Sequence, residues 1–564
     1  MTTVLAPSQR EKTNAASTRR RTVNQTLCAA THVAEGFADY TVRIVDGRPR
    51  AGTPSLTEDP VALLRHATAA RRLRCSRDVA CCLITLAVGG VVVGRLAASL
   101  GYGAAVSVVA GVVAGWLGRR RLSRWLREWC AWAWRSHWDR RRSGPLRWVV
   151  GLAISATLAI VLVLRQPVLW NCVGVVLLGL GVGWLVIVGE SVLAHRRAAA
   201  VVAEAAPEPR QLAAPLRHEV EKRVDELANA NVIAYAESRA STPFVGNGFI
   251  VRPWKVDIDL HRRASDGDDD ESAFTVFDII ALHERLEDQF LVENAVESTA
   301  TRKVEAGHRL YVNGRKIKWG SDLLEADRPV PRSRVDWDYL AEELKHPERA
   351  DDQRVYFYLQ ETCRDGEIGV CILVRPLLQS GRLSIEFVPL VIPPVHPDVE
   401  SLVANLPTRM REHVGRAVRI WTPRVPAMVF AGPVRCALRM RERLWRLSAR
   451  ARWRLAARYG WFYDLGAVMS VREGVCWREP DEFDHFVIRD LIRINDQLRD
   501  RLITSIKAYL SELGIDTEHL EMAVKITNIQ NWNVGNVRAD MVGFGNNNTF
   551  GNPGRDVDGG ADKG

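Results

Sequence analysis

No C-x-x-C pair occurs in the sequence, and its ten cysteines (Cys28, Cys75, Cys81, Cys82, Cys130, Cys172, Cys363, Cys371, Cys436 and Cys476) are scattered along the chain. That spacing offers no start for a zinc site or a dithiol redox motif, and it suits reduced thiols facing a cytoplasm. Met1 to Asp78 has no long apolar stretch followed by a small-residue cleavage site, so no cleaved signal peptide is expected and the first spanning helix serves as the insertion signal. A P-loop and a nucleophile elbow are also missing, and Gly246-Asn247-Gly248 lacks the remainder of a dinucleotide fingerprint. His283-Glu284-Arg285-Leu286-Glu287 has no second histidine at i+4 to complete a zinc pair and reads as a surface turn. Asp266 to Glu271 is acidic like a calcium loop but lacks the glycine after its third acid and the distal glutamate, which leaves a solvated loop. No catalytic, cofactor-binding or metal-binding residue is therefore assigned, no cofactor is expected, and the chain reads as a non-enzyme.

What is present is apolar length. Val79–Gly94 and Ala104–Gly118 fold back around Gly101-Tyr102-Gly103, while Trp148–Leu164 and Val168–Gly189 fold back around Arg165-Gln166-Pro167, where proline removes a backbone donor. Two transmembrane hairpins, 79–118 and 148–189, are expected. Arginines crowd one side: Arg71, Arg72, Arg74 and Arg77 before the first span, ten between the hairpins, and Arg196 and Arg197 after the last, against only Arg95 and Arg165 at the outer turns. Positive loops stay in the cytoplasm, so both termini are placed there, with the protein in the plasma (inner) membrane.

Glycine pairs of the G-x-x-x-G type, Gly90/Gly94, Gly111/Gly115 and Gly179/Gly183, suit close helix packing within the bundle or self-association of the chain. The spans hold few polar groups (Ser107, Ser155, Thr157, Asn171), and substrate or proton pathways need more, which disfavours a small channel or transporter as the alternative role. Between the hairpins, Arg119–Arg142 repeats Leu122, Trp125, Leu126, Trp129 and Trp132 at helical spacing among arginines, with Arg120, Arg124 and Arg127 on the same stretch. Such a helix fits the inner interface, with indoles among acyl chains and guanidiniums on the phosphates of anionic lipids, better than it fits nucleic acid. The net charge of +11 points the same way.

The soluble parts divide by composition. Residues 1–55 are polar, with one strand-like run at Tyr40–Val45; a helix over 56–78 opens at Thr57-Glu58-Asp59-Pro60 and leads into the membrane. Residues 119–147 are the basic, tryptophan-rich interfacial helix, and 190–215 are a proline-broken linker. Residues 216–526 read as a cytoplasmic α+β domain with an antiparallel sheet: an Asn-Gly hairpin at Leu310–Ile317, then a meander of Val355–Thr362, Ile368–Val374 and Leu383–Ile392. Helices at Ala214–Ala230, Thr275–Phe290 and Phe483–Leu513 surround it, and Pro433–Tyr459 is a second arginine-rich helix suited to the anionic leaflet. Residues 527–564 are rich in Asn and Gly and read as a disordered tail, whose Val-x-Gly stretches resemble bacterial amyloid-signalling tails.

Asp59-Pro60 to His66-Ala67, Pro243-Phe244-Val245-Gly246 and Gly514-Ile515-Asp516-Thr517 together resemble marks of a family of four-span membrane proteins of high-GC bacteria that has no assigned activity. The resemblance implies the same architecture and adds no mechanism. The reading that follows is a non-enzymatic, membrane-anchored interaction or signalling scaffold with a cytoplasmic protein partner; a membrane-tethered enzyme without a recognisable motif is the second alternative.

Overall fold

A computed structural model describes residues 22–45, 51–54, 58–100, 167–203, 208–237, 242–260, 277–297, 303–325, 330–346, 352–379, 381–407, 409–476, 483–518 and 520. In chain order the elements are α1 (Val23–Val33), α2 (Phe37–Val45), α3 (Pro60–Leu100), α4 (Pro167–Val202), α5 (Pro209–Leu212), α6 (His218–Ala228), β1 (Val232–Tyr235), β2 (Phe249–Ile250), β3 (Trp254–Asp259), α7 (Ile279–Glu297) and β4 (Lys303–Asn313). There follow α8 (Trp337–Leu344), β5 (Gln353–Cys363), β6 (Ile368–Gln379), β7 (Arg382–Ile392), α9 (Pro397–Ala404), α10 (Met410–Trp421), a 3₁₀ turn (Thr422–Arg424), α11 (Val425–Phe430), α12 (Gly432–Tyr459), α13 (Val471–Val475) and α14 (His485–Glu512). They divide into two compact units, one drawn from Met1–Arg71, Ala194–Thr408 and Trp445–Gly564, the other from Arg72–Leu193 and Arg409–Leu444.

The first unit is built on a seven-stranded sheet in the order β1-β4-β5-β6-β7-β2, with β3 also pairing β7. Period-two alternation makes one face apolar: Phe357 and Leu359 of β5, Ile368, Val370, Ile372 and Val374 of β6, and Leu383, Ile385 and Phe387 of β7 share one core. Leu282, Leu286 and Phe290 of α7 cover it together with Val487, Leu491, Ile494, Leu498, Leu502, Ile506 and Leu510 of α14. Those spacings of three and four put an apolar stripe along each helix, so two amphipathic helices close one side of the sheet. Arg364, Asp365 and Gly366 take φ of +54°, +57° and +85° to turn β5 into β6, and the Arg364 guanidinium bonds Asp490 of α14, tying the turn to the helix layer.

Three expectations are corrected in this unit. The sheet is mixed, because β1 runs parallel to β4 while the other pairings are antiparallel. Asn313-Gly314 does make a turn, with Lys316 N–H donating to Asn313 C=O, but no return strand follows. Both sides of β4 are already taken, by β1 and by β5, so a hairpin partner has no edge to join. Tyr40–Val45 lies in helix α2 although it is rich in β-branched residues; Phe37, Ala38 and Thr41 are buried on one helical face, and that burial outweighs the intrinsic strand preference. Around it, α1 buries Leu27, Cys28, Ala29 and Ala30 against α9 and α13, so a stretch that is polar on average carries a packed apolar face.

In the second unit, residues of α3 and α4 run antiparallel. A Cβ added to Gly179 would lie 2.4 Å from Val88, Ile187 packs with Cys81, and Glu190 pairs with Arg77, so the partner number falls on one helix as it rises on the other. These are the two helices long and apolar enough to cross a membrane among the described residues. Leu83, Leu86, Leu177, Leu178 and Leu185 along them are each more than 60% exposed. The second and third expected spans, and the basic helix between them, lie outside the described residues.

Candidate functional site

Two carboxylates stand where the apolar stretches of α3 and α4 meet their polar ends. Asp78, with its side chain 1% exposed, precedes the first apolar run, and Glu190 follows the last. Arg77 reaches both, donating at 3.1 Å to Asp78 and 3.2 Å to Glu190. From α12, Arg439 Nε donates to Asp78 Oδ2 at 2.8 Å, Arg435 stands 3.6 Å from Oδ1, and the Cys436 thiol donates to the Asp78 carbonyl. Trp421 of α10 donates to Ser191 Oγ at 3.0 Å, and Trp184 donates to Thr422 Oγ1 at 2.9 Å. Two carboxylates thus face three guanidiniums in an ionic layer that fastens α3, α4, α10 and α12 to one another. Charges removed from water are tolerated only with such pairing.

The glycine stripes fall into two kinds. Gly179 and Gly183 admit Val88 and Val429 so closely that any side chain would collide, with contacts of 2.4 and 2.3 Å. Gly90 and Gly94 have no described atom within 4 Å of where a Cβ would stand. Gly111, Gly115, Trp125, Trp129, Trp132, Arg120, Arg124 and Arg127 lie outside the described residues.

In the sheet unit, the face away from α7 and α14 carries a buried polar layer. Arg309 of β4 donates to Asn247 Oδ1, donates to Gln360 Oε1 at 2.9 Å, and stacks 3.7 Å over the Tyr358 ring. Asn247 in turn donates to the Tyr311 hydroxyl. Burial pushes the Cys371 thiol up to about 11 and the Tyr356 phenol up to about 12. Both groups therefore stay protonated near neutral pH and are poor nucleophiles, and the layer reads as a clamp on the 243–248 segment. The same segment is held from its other side by Glu473, whose Oε1 accepts from Gly246 N–H at 2.7 Å and Gly248 N–H at 3.1 Å while Oε2 accepts from Ser470 N–H at 2.8 Å. Burial raises the Glu473 carboxyl above the usual carboxylate range in spite of those bonds. Gly246 and Gly248 take φ of +91° and +96°, which explains the glycines flanking Asn247 without any nucleotide.

His283 is not on a surface turn. It lies inside α7, fully buried, with both ring nitrogens lacking a hydrogen-bond partner, and its ring centroid is 5.1 Å from that of His308 on β4. His308 Nδ1 is 3.3 Å from Glu287, and the Trp337 ring packs on both imidazoles. The apolar spacing Leu282-Leu286-Phe290 was the signal that turns this stretch inward, and it carries His283 with it. Among the described residues no group of three or more His, Cys, Asp or Glu is placed to hold a metal ion. Burial and the neighbouring His308 hold the His283 imidazole well below its ordinary value. Since the folded state resists protonation and the unfolded state does not, stability is complete above about pH 6.5 and falls as pH drops below it, by at most ~1.4 kcal/mol per pH unit. Thermal unfolding of the full chain in detergent between pH 7.5 and 5 should show that decline, and His283→Phe should flatten it. An unchanged slope in the variant would assign the decline to other groups.

Residues 253–548, just over half of the chain, match the model of the AbeC-like domain family. The chain belongs to that family. The AbeC-like segment supplies β3 to β7, α7 and α14, and it also supplies Arg435 and Arg439 of the ionic layer, whereas Asp78 and Glu190 lie outside it. No match was found among curated proteins or among solved structures. Sequence reasoning missed Asp78, Glu190, Arg435 and Arg439 as one group. The available signal was an acidic residue beside the first and the last apolar run, which at that position requires a cationic partner.

Proposed function

We propose that this AbeC-like protein is a non-enzymatic scaffold anchored in the inner membrane by four spans, with both termini in the cytoplasm, where its sheet unit is offered to a protein partner. The observation that carries the reading is the pair of apolar helices left exposed along their length and ended at the same level by one ionic layer. Lipid is the solvent that accepts such leucines, and a layer of paired charges suits the boundary where hydrocarbon gives way to headgroups. Cys371, beside Arg309 of the clamp, and Tyr356, bonded to Glu386, both stay protonated, which favours binding over covalent chemistry. Anionic lipid is the proposed partner of the arginine-rich helices, and the Gly90/Gly94 stripe, against which no described atom lies, is the proposed seam for a second copy.

Reporter fusions after Gly564 and at Gly101-Tyr102-Gly103, with alkaline extraction of native membranes, test the topology: the chain should stay in the membrane pellet, with the first fusion inside and the second outside. A carbonate-soluble chain, or an external C-terminal reporter, would defeat the reading. Crosslinking in native membranes followed by mass spectrometry then identifies the partner.

A further inference from the structure

We infer that the 3₁₀ turn and α11, residues 422–430 of the AbeC-like segment, form a wedge inserted among the acyl chains of the same leaflet that borders the ionic layer; this rests on the membrane reading above. The argument is one of depth. The Thr85 hydroxyl donates to the Val429 carbonyl at 2.7 Å, and Gly183 lies against the Val429 side chain. Thr85 is seven residues beyond Asp78 on α3, and Gly183 is seven residues before Glu190 on α4. At 1.5 Å per residue, both helices independently place Val429 about 10 Å past the charged layer in the apolar direction. A leaflet's hydrocarbon is about 15 Å deep, so a tip at that level lies among acyl chains when the layer sits at the headgroups.

The composition of the wedge agrees with its level. Val425 and Val429 pack inward with Cys81 and Ile187, while Phe430 is 42% exposed; α10 stays at the level of the ionic layer, where Ala417 packs with Val188 and Val192 and Trp421 bonds Ser191. A Cβ on Gly432 would lie 2.7 Å from the backbone of Cys81 and Cys82, so the return into α12 is pressed directly on α3. Arg424 of the 3₁₀ turn stands 6.0 Å from the centroid of the Trp421 ring, and its long side chain can carry the charge back toward phosphate level. Beyond the turn, Arg435 and Arg439 return to the ionic layer. The occupant of this surface is the lipid that already surrounds Leu86 and Leu178.

A photoreactive benzoylphenylalanine introduced at Phe430 of the full chain, irradiated in native membranes, tests this, with the same group at Leu86 and Leu291 as references. The expected result is a phospholipid adduct at Phe430 comparable to that at Leu86 and none at Leu291, an exposed residue of α7 in the sheet unit. Lipid at Leu86 with protein or no adduct at Phe430 overturns the wedge and leaves the spans standing. No lipid at either position removes the membrane reading itself, and the wedge with it.

Discussion

Asp78→Asn is expected to cost the second unit about 3–5 kcal/mol, enough to deplete the folded chain from membranes, because it leaves guanidiniums buried opposite a neutral amide. Asp78 is the common partner of Arg77, Arg435 and Arg439, and its side chain is almost completely withdrawn from solvent. Removing one carboxylate therefore unbalances three cations at once. Arg439→Met should cost less, since Arg77 and Arg435 still neutralise Asp78 and the methionine refills the volume. The order of effects distinguishes an ionic hub from ordinary packing. Abundance in membranes and thermal unfolding in detergent read it directly, and equal losses from the two variants would contradict the hub.

Glu473→Ala should be the most damaging single change in the sheet unit. It strands the N–H groups of Gly246, Gly248 and Ser470 in a buried site, at roughly 1–3 kcal/mol for each donor left without an acceptor. Glu473→Gln keeps one acceptor oxygen and should retain a large part of the stability. Amide hydrogen exchange separates the local from the global outcome: in the alanine variant, Gly246 and Gly248 should lose protection before the β4–β7 ladder does. Uniform loss throughout the sheet would mean that the clamp and the sheet open together.

The central meander was legible in the sequence because β5, β6 and β7 are runs of β-branched, aromatic and other apolar residues separated by Arg364-Asp365-Gly366 and a turn ending at Gly381. Helix α14 was legible because its apolar residues recur at every third or fourth position over 28 residues. Helix α2 was not, since its β-branched residues argue for a strand and only neighbours supplied by α1, α3 and α13 reward the helix. Nor was β1, whose four residues become a strand only by lying parallel beside β4, a partner some eighty positions away. The candidate sites were the least readable. Arg77, Asp78 and Glu190 each look like ordinary flanking charges, and Arg435 and Arg439 look like two of many arginines along a basic helix.

By itself, the sequence determined what is local and periodic: two helices apolar enough to cross a membrane, an amphipathic helix for the sheet, and turns that need glycine. Tertiary structure alone decided which distant charges share a buried layer, that His283 points inward, and that residues 409–444 pack with the apolar helices although they lie within the AbeC-like segment. The physical reason is that hydrophobic periodicity is written within a few turns of one element. A buried charge is stabilised only by a partner whose position along the chain the local pattern does not specify.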